Sequence, residues 1–219
     1  MWQNIVKYHF PKKETAMRTK IDLNGLWDYR IGMGEFEKIQ VPYSARTVGQ
    51  SVCRRYFDRP AYLCERVFLI FEGTTYFAKA HLNGNELGSM RAYGEYRFDI
   101  TPYLKDTNNE LVVEIEDIHV EFGPSEGWEN YGGIIRDVYL ECTGKHIVLD
   151  AFFHADLNVE EKSAVCTVEL EHDFPKETEF TCCLYDARGM LAAKTVTKDT
   201  PIVFNAENLS LRSPDAPVL

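Results

Sequence analysis

Acidic side chains are the first candidates for chemistry, because a pair of carboxylates can serve as general acid and base or as nucleophile. Glu114 and Glu116 lie two residues apart, so on a strand they share one face, which we interpret as a solvated surface. Glu121, Glu126 and Glu129 fall in a segment without strand alternation, just before a pair of glycines. Because loops carry function more often than strands do, this acidic loop is the stronger candidate for a ligand contact.

Histidine and cysteine show no arrangement typical of a reactive or metal site. The six histidines are scattered, and no Cys or His pair has the spacing of a zinc site. No GxSxG motif, phosphate loop or dinucleotide-binding GxGxxG motif occurs. We therefore predict no metal and no cofactor. The cysteines fall mostly in apolar runs and are predicted to be reduced thiols: Cys53, Cys64, Cys142, Cys166, Cys182 and Cys183.

Loop aromatics are the other candidate for binding. Tyr93, Trp128 and Tyr131 lie near glycines and outside strongly alternating segments. Flat aromatic rings beside polar groups bind sugars, because the apolar side of a pyranose stacks while its hydroxyls form hydrogen bonds. The alternative, which spacing alone favours, is that these rings close the ends of a β-sandwich. The adjacent Gly132 and Gly133 allow a close backbone approach or a positive φ where this loop returns to a strand.

Composition limits the class of protein. The chain has 219 residues, of which 45% are hydrophobic, so we expect a globular fold of one large or two small domains. A net charge of −10 argues against a nucleic-acid partner, since phosphate binding needs clustered lysine and arginine. No apolar run reaches the roughly 18 residues of a membrane span, and the first residues lack a signal-peptide pattern. We expect no membrane partner and a cytoplasmic location.

Strand patterns dominate the elements that must position these residues. Residues 66–72 and 76–82 are rich in aromatic and branched side chains, and Asn83-Gly84 predicts a hairpin turn between 76 and 89. Residues 111–117 alternate apolar with acidic. Further strand-like segments follow at regular spacing, at 95–100, 137–142, 147–155, 163–172, 179–186 and 190–197. No helical period extends over about 11 residues or more, so the chain is predicted to be all-β, built from sandwiches.

Three segments resemble one known family. Residues 21–30 (IDLNGLWDYR), 71–104 (with FEG, LNG and FDIT) and 130–138 (NYGGIIRDV) resemble the N-terminal sugar-binding domain of glycoside hydrolase family 2. This is the family of β-galactosidases, β-glucuronidases and β-mannosidases. The second half resembles the immunoglobulin-like domain that follows in the family. The resemblance implies an N-terminal extension at 1–17, a jelly-roll sandwich at 18–143 and an incomplete immunoglobulin-like sandwich at 144–219.

The resemblance also implies a role. The family's catalytic (β/α)₈ barrel, which carries two catalytic glutamates, follows these two domains, and nothing in the chain corresponds to it. We therefore expect no catalytic residue and no activity of this chain alone. Its expected role is the non-catalytic region of a retaining β-glycosidase, where it supports the barrel and borders the sugar pocket. The expected partners are carbohydrate, that barrel and a second copy in a homo-oligomer. The alternatives are an independent carbohydrate-binding module and a scaffold for protein interaction.

The resemblance places the candidate site in the loop before the glycine pair. In some family members a carboxylate of this loop contacts the sugar, and the matching position here is Gly127, with Glu126 beside it as a substitute. The candidate ligand-binding residues are Glu126, Trp128, Glu129, Asn130 and Tyr131. The candidate structural residues are Asn83, Gly84, Gly132, Gly133 and Arg136, with Arg136 beside Asp137 interpreted as a local anchor or as a surface pair.

Overall fold

A computed structural model describes residues 18–44, 49–60, 64–116, 131–186 and 189–209. Within these ranges the protein consists of β-strands and one short 3₁₀ turn, Thr101–Tyr103. The chain divides into two compact units, one ending at Lys145 and the other containing the residues from His146 onward. The predicted extension at 1–17 lies outside the described residues, and the predicted domain limits stay predictions.

The first unit contains twelve strands, which are joined by short turns and longer connections. They are β1 (Thr19–Asp22), β2 (Gly25–Ile31), β3 (Glu37–Val41), β4 (Ser51–Phe57), β5 (Arg66–Phe71), β6 (Thr74–Thr75), β7 (Phe77–Leu82), β8 (Asn85–Arg91), β9 (Tyr96–Asp99), β10 (Asn109–Ile115), β11 (Gly133–Ile134) and β12 (Val138–Thr143).

Two antiparallel sheets form the first unit. One sheet has the strand order β1-β12-β5-β9 and the other β3-β2-β4-β10-β7-β8. Their inner faces share one core, to which Leu69 and Leu140 contribute from the smaller sheet and Trp27 and Val113 from the larger. Crossovers between non-consecutive strands and two packed sheets define a jelly-roll sandwich, as the family resemblance implies. A small third sheet, β11-β6, lies beside them.

Side-chain alternation explains why these segments form strands. In β10, Leu111, Val113 and Ile115 are buried while Glu114 is exposed, which confirms the prediction of one dry and one wet face. The predicted hairpin is β7–β8, and its two loop residues Asn83 and Gly84 both have positive φ, 52° and 82°. Such a pair of dihedrals suits the right-handed twist of the flanking strands.

The second unit contains β13 (Val148–Asn158), β14 (Ser163–His172), β15 (Phe180–Tyr185), β16 (Leu191–Thr197) and β17 (Ile202–Ala206). These form a three-stranded sheet β13-β14-β17 and a two-stranded sheet β15-β16 around a core that includes Cys166, Ile202 and Phe204. Two antiparallel sheets over one core make the predicted immunoglobulin-like sandwich. The sequence analysis did not predict β17, whose short run follows a proline. Whether this sandwich is incomplete stays a prediction.

Two cysteines correct the expectation of reduced thiols. Cys64 and Cys142 form a disulfide with their Cα atoms 5.3 Å apart, while Cys53, Cys166, Cys182 and Cys183 are free. Cys64 lies two residues before β5, and Cys142 lies near the end of β12, which pairs with β5. The prediction was wrong for this pair because strand pairing brings together residues that are 78 positions apart in sequence.

Candidate functional site

Three tyrosines from three chain segments meet at the small β6–β11 sheet. Tyr76 follows β6, and Tyr131 lies two residues before β11, which pairs with β6. The Tyr93 backbone N–H donates to the Thr74 carbonyl at 3.0 Å, which holds the β8–β9 turn against β6. The Tyr93 hydroxyl donates to the Tyr131 hydroxyl at 3.3 Å, and the Tyr93 and Tyr76 rings meet edge to face at 6.1 Å. We call Tyr76, Tyr93 and Tyr131 the tyrosine cluster.

Tyr93 is the exposed member of the tyrosine cluster. It lies at φ 64°, a left-handed conformation that is uncommon for a bulky residue, and 41% of its surface is exposed. The hydrogen bond with Tyr131 raises the pKa of Tyr93, and partial burial and the neighbouring Tyr76 raise it further. The Tyr93 hydroxyl therefore stays protonated near neutral pH and remains a hydrogen-bond donor.

Two buried hydroxyls adjoin the tyrosine cluster. Thr74 and Thr75 are fully buried, and neither side-chain oxygen has a hydrogen-bond partner among the described residues. Buried hydroxyls are normally paired, so this unpaired couple marks a polar region within an apolar core. The cluster offers aromatic faces and hydroxyls that can stack on a pyranose and bond its hydroxyls. A phenol with a raised pKa is a poor general base at neutral pH, so the Tyr93 side chain suits binding rather than catalysis.

Gly133 is placed where a larger residue does not fit. Its φ is 154°, and a Cβ there would collide with the carbonyl oxygen of Tyr43 and lie 3.2 Å from the Cα of Ser44. The Tyr43 backbone N–H donates to the Ile134 carbonyl at 2.8 Å, so the two backbones are held together at this point. Gly132 beside it is buried. The glycine pair thus allows close contact with another part of the chain.

Arg136 and Asp137 have separate partners. The aliphatic part of Arg136 packs over Gly73, where a Cβ would lie 3.1 Å from its Cδ, and its Nη1 donates to the Glu72 carbonyl at 3.4 Å. The Asp137 carboxylate accepts from Asn24 Nδ2 at 3.0 Å. Arg136 therefore anchors the segment after β11 to the turn between β5 and β6.

Asn83 does more than form the hairpin turn. Its Nδ2 donates to the Tyr103 carbonyl at 2.8 Å and to Asn109 Oδ1 at 2.9 Å, and its Oδ1 accepts from the Glu110 N–H at 3.0 Å. Asn109 is fully buried and bonds both the Lys105 N–H and the Lys105 carbonyl. These contacts link the β7–β8 turn to the start of β10.

Of the five candidate ligand-binding residues, the structure describes Tyr131 alone, and it brings Tyr131 to Tyr93. Glu126, Trp128, Glu129 and Asn130 lie outside the described residues, as does Glu121. Sequence reasoning did not select Tyr76, which looks like an ordinary aromatic residue at the start of a strand. The pairing of β6 with β11, which no local pattern signals, is what adds it to the cluster.

The described part of the chain also lacks the features of two other classes of site. No helix there is long and apolar enough to span a membrane. Among the same residues, no group of three or more His, Cys, Asp or Glu side chains is arranged to hold a metal ion.

Comparison with known proteins relates part of the first unit to a known family. Residues 43–124 match the sequence profile described as glycosyl hydrolase 2 galactose-binding domain-like. A β-galactosidase of Halalkalibacterium halodurans is 28% identical over 202 residues, which cover 88% of this chain and 19% of the relative. A β-glucuronidase of Bacteroides fragilis is 30% identical over 148 residues, which cover 58% of this chain and 21% of the relative. The chain thus spans about a fifth of the length of these curated relatives.

Solved structures show the same fold. An FMN-binding β-glucuronidase from Facaelibacterium prausnitzii L2-6 superposes with a TM-score of 0.80 at 22% identity, over 92% of this chain and 36% of that one. A β-glucuronidase from an uncultured Clostridium sp. superposes with a TM-score of 0.76 at 19% identity, over 96% of this chain and 43% of that one. These likenesses show the fold, and the profile match shows that residues 43–124 carry a galactose-binding-like domain of glycosyl hydrolase family 2.

Proposed function

We propose that this chain is the non-catalytic N-terminal region of a family 2 glycoside hydrolase that cleaves β-glycosidic bonds. In this role it supports a catalytic domain and lines one side of its sugar pocket. The family resemblance supports the first part, because the relatives are β-galactosidases and β-glucuronidases several times longer than this chain. The second part, that the chain lines one side of the sugar pocket, needs support from the structure of the chain itself.

The observation that carries the pocket assignment is the tyrosine cluster. Tyr131 immediately follows the predicted loop of Glu126, Trp128, Glu129 and Asn130, and its hydroxyl bonds that of the exposed Tyr93. A sugar held by this loop would therefore meet hydroxyls and ring faces that β6 and β11 hold in place. The raised pKa of Tyr93 keeps its hydroxyl a hydrogen-bond donor at neutral pH, in keeping with a binding role.

Isothermal titration of the 219-residue chain with galactose, glucuronate and mannose tests the binding role. Millimolar or tighter binding that is lost in both Tyr93→Ala and Trp128→Ala would identify an independent carbohydrate-binding module. The matched control is Tyr103→Ala, which removes a similarly exposed tyrosine from the 3₁₀ turn. Galactose or mannose binding that persists in both cluster variants would exclude the cluster as the contact. If no sugar binds, the chain acts as a scaffold and the pocket exists only beside a catalytic domain.

Turnover of aryl β-glycosides tests the non-catalytic assignment. We expect no hydrolysis by the 219-residue chain, because its proposed contribution is binding surface rather than the two carboxylates of a glycosidase. Hydrolytic activity that copurifies with the chain and is lowered by Glu126→Gln would contradict the proposal.

Association with a catalytic domain and self-association stay predictions. Sedimentation of the chain alone, and of the chain mixed with a separately expressed barrel, would measure them.

A further inference from the structure

The outer face of the larger jelly-roll sheet carries an unusual group of arginines. Arg30 on β2 and Arg54 on β4 alternate with the core residues Tyr29 and Cys53, so they point away from the core. Phe36, just before β3, lies over both of them. The distances from its ring centre to the guanidinium carbons are 4.9 Å for Arg30 and 4.1 Å for Arg54. We call Arg30, Arg54 and Phe36 the arginine clamp.

The charges around the arginine clamp do not balance. Asp28 is held by Lys38 at 2.7 Å and lies 3.6 Å from Arg54, and Glu110 lies 3.8 Å from Arg54. The contact with Lys38 lowers the pKa of Asp28, so this carboxylate stays charged. Among the described residues, Arg30 has no hydrogen bond or ion pair. Three cations therefore meet two carboxylates, on a chain whose net charge is −10.

The guanidinium groups also present unused donors. Among the described residues, the Nε atoms of both Arg30 and Arg54 are buried from solvent and have no hydrogen-bond partner. A buried charged donor without a partner is costly, and such atoms in native proteins point to an ion or water that completes them. Two like charges packed against one ring also repel each other. An oxyanion bound beside both guanidinium groups would relieve that repulsion.

Aromatic surface adjoins the donors. Tyr56 lies 5.4 Å from the Arg54 guanidinium carbon, measured to its ring centre, and its hydroxyl donates to Glu110 at 2.7 Å. Tyr56 and Phe36 are 41% and 37% exposed, so each ring keeps surface for a ligand. Guanidinium groups bind carboxylate and sulfate oxygens in a forked geometry, and exposed rings stack on the apolar face of a pyranose.

We propose that the arginine clamp, with Tyr56, is a binding site for an acidic saccharide, in which Arg30 and Arg54 hold the carboxylate of a uronate or the sulfate of a sulfated sugar. The site uses none of the residues of the tyrosine cluster. Its test is therefore independent of the pocket proposed above, and either proposal can fail alone.

The test is a ¹H–¹⁵N NMR titration of the 219-residue chain with glucuronate, inorganic sulfate and galactose, observing the arginine Nε–Hε signals. We expect glucuronate to shift the Arg30 and Arg54 signals saturably, with a millimolar Kd, and galactose to shift neither. Raising NaCl from 50 to 500 mM should weaken glucuronate binding, because partly exposed charges are screened. In Arg30→Gln the affinity for glucuronate should fall at least about tenfold, since a charge-assisted contact is lost.

The matched control is Arg59→Gln, a half-exposed arginine elsewhere on the jelly roll, 4.0 Å from Asp106. This variant should bind glucuronate as the unmodified chain does, and far-UV circular dichroism should show that both variants are folded. No shift with glucuronate, or an equal affinity in Arg30→Gln, overturns the proposal. Sulfate binding as tight as glucuronate binding overturns the saccharide part, because the clamp would then recognise a bare anion.

Discussion

At the scale of single residues, Gly133 is required to be glycine for two independent reasons. Its φ of 154° disfavours any side chain, and the Tyr43 carbonyl occupies the space that a Cβ would need. Gly84 meets the first condition alone: its φ is 82°, but no atom lies within 4 Å of an added Cβ. Comparing substitutions at the two glycines therefore separates the free-energy cost of the backbone dihedral from that of the steric collision.

We expect Gly133→Ala to lower the free energy of unfolding by about 1–3 kcal/mol, because strain at the dihedral adds to a collision with backbone atoms. Urea unfolding followed by circular dichroism measures this change. Gly84→Ala is the control and should cost clearly less, since its added methyl group meets open space. Equal losses in the two variants would show that the approach of Tyr43 does not constrain position 133.

The second residue-scale prediction concerns Cys53. Burial raises the pKa of its thiol to about 12, although the hydrogen bond between this thiol and the Tyr43 hydroxyl, at 3.2 Å, acts in the opposite direction. In the unfolded chain the thiol ionises near 9.0. Between these values the folded state binds more protons than the unfolded state, so stability is complete below pH 9 and declines as the pH rises.

We expect this single thiol to reduce the free energy of unfolding by about 1.4 kcal/mol at pH 10 relative to pH 7.5. Urea unfolding at several pH values, compared with Cys53→Ala, isolates the contribution because other groups titrate in both proteins. The curve of the variant should be flatter above pH 9. Parallel curves for the two proteins would mean that the Cys53 thiol ionises equally well in the folded state.

At the scale of elements, the Cys64–Cys142 disulfide joins the segment before β5 to the end of β12. It closes a loop of 78 positions, so in the chain-entropy view it strongly restricts the unfolded chain. It also lies next to a strand pair that already holds Glu65 to Thr143 by a backbone hydrogen bond of 3.1 Å. The disulfide therefore reinforces a strand pairing that the sheet already forms.

We expect Cys64→Ser to lower the free energy of unfolding by about 2–4 kcal/mol. Cys183→Ser is the control, since Cys183 is free and half-buried, and it should be nearly neutral. Thiol titration of the denatured protein should count four thiols before reduction and six after it. Six thiols before reduction would contradict the disulfide.

The same titration bears on the predicted cytoplasmic location. Disulfides persist in oxidising compartments and are rare in a reducing cytoplasm. Protein alkylated directly in its native cells should carry four modified cysteines if it resides in an oxidising compartment. Six modified cysteines would support the cytoplasmic prediction and would make the disulfide a product of isolation.

At the scale of the whole molecule, each unit has its own core. The first unit packs around Trp27, Leu69 and Val113, and the second around Cys166, Ile202 and Phe204. We expect a fragment covering residues 16–145 to unfold in one cooperative transition, because residues of this unit form its core. Calorimetry and near-UV circular dichroism of the buried Trp27 measure this. A fragment without a near-UV signal would show that the first unit depends on the second.

Local patterns were sufficient for the fold class and for individual strands. The alternation in β10 and the Asn83-Gly84 turn are short-range features, so the sequence predicted them directly. The family resemblance then supplied the order of the two sandwiches. The candidate site was only partly accessible in this way: Tyr131 and Tyr93 were singled out as loop aromatics, whereas Tyr76 was not.

The sequence by itself determined that the chain is all-β, acidic and related to family 2 glycosidases, because periodicity, charge and short motifs are local properties. The tertiary structure decided that Tyr76, Tyr93 and Tyr131 form a cluster, that Cys64 bonds Cys142, and that Arg30 and Arg54 share the ring of Phe36. Each of these contacts joins separate strands or loops. Their formation depends on strand order and register, which arise from packing two sheets over one core and leave no trace in residue spacing.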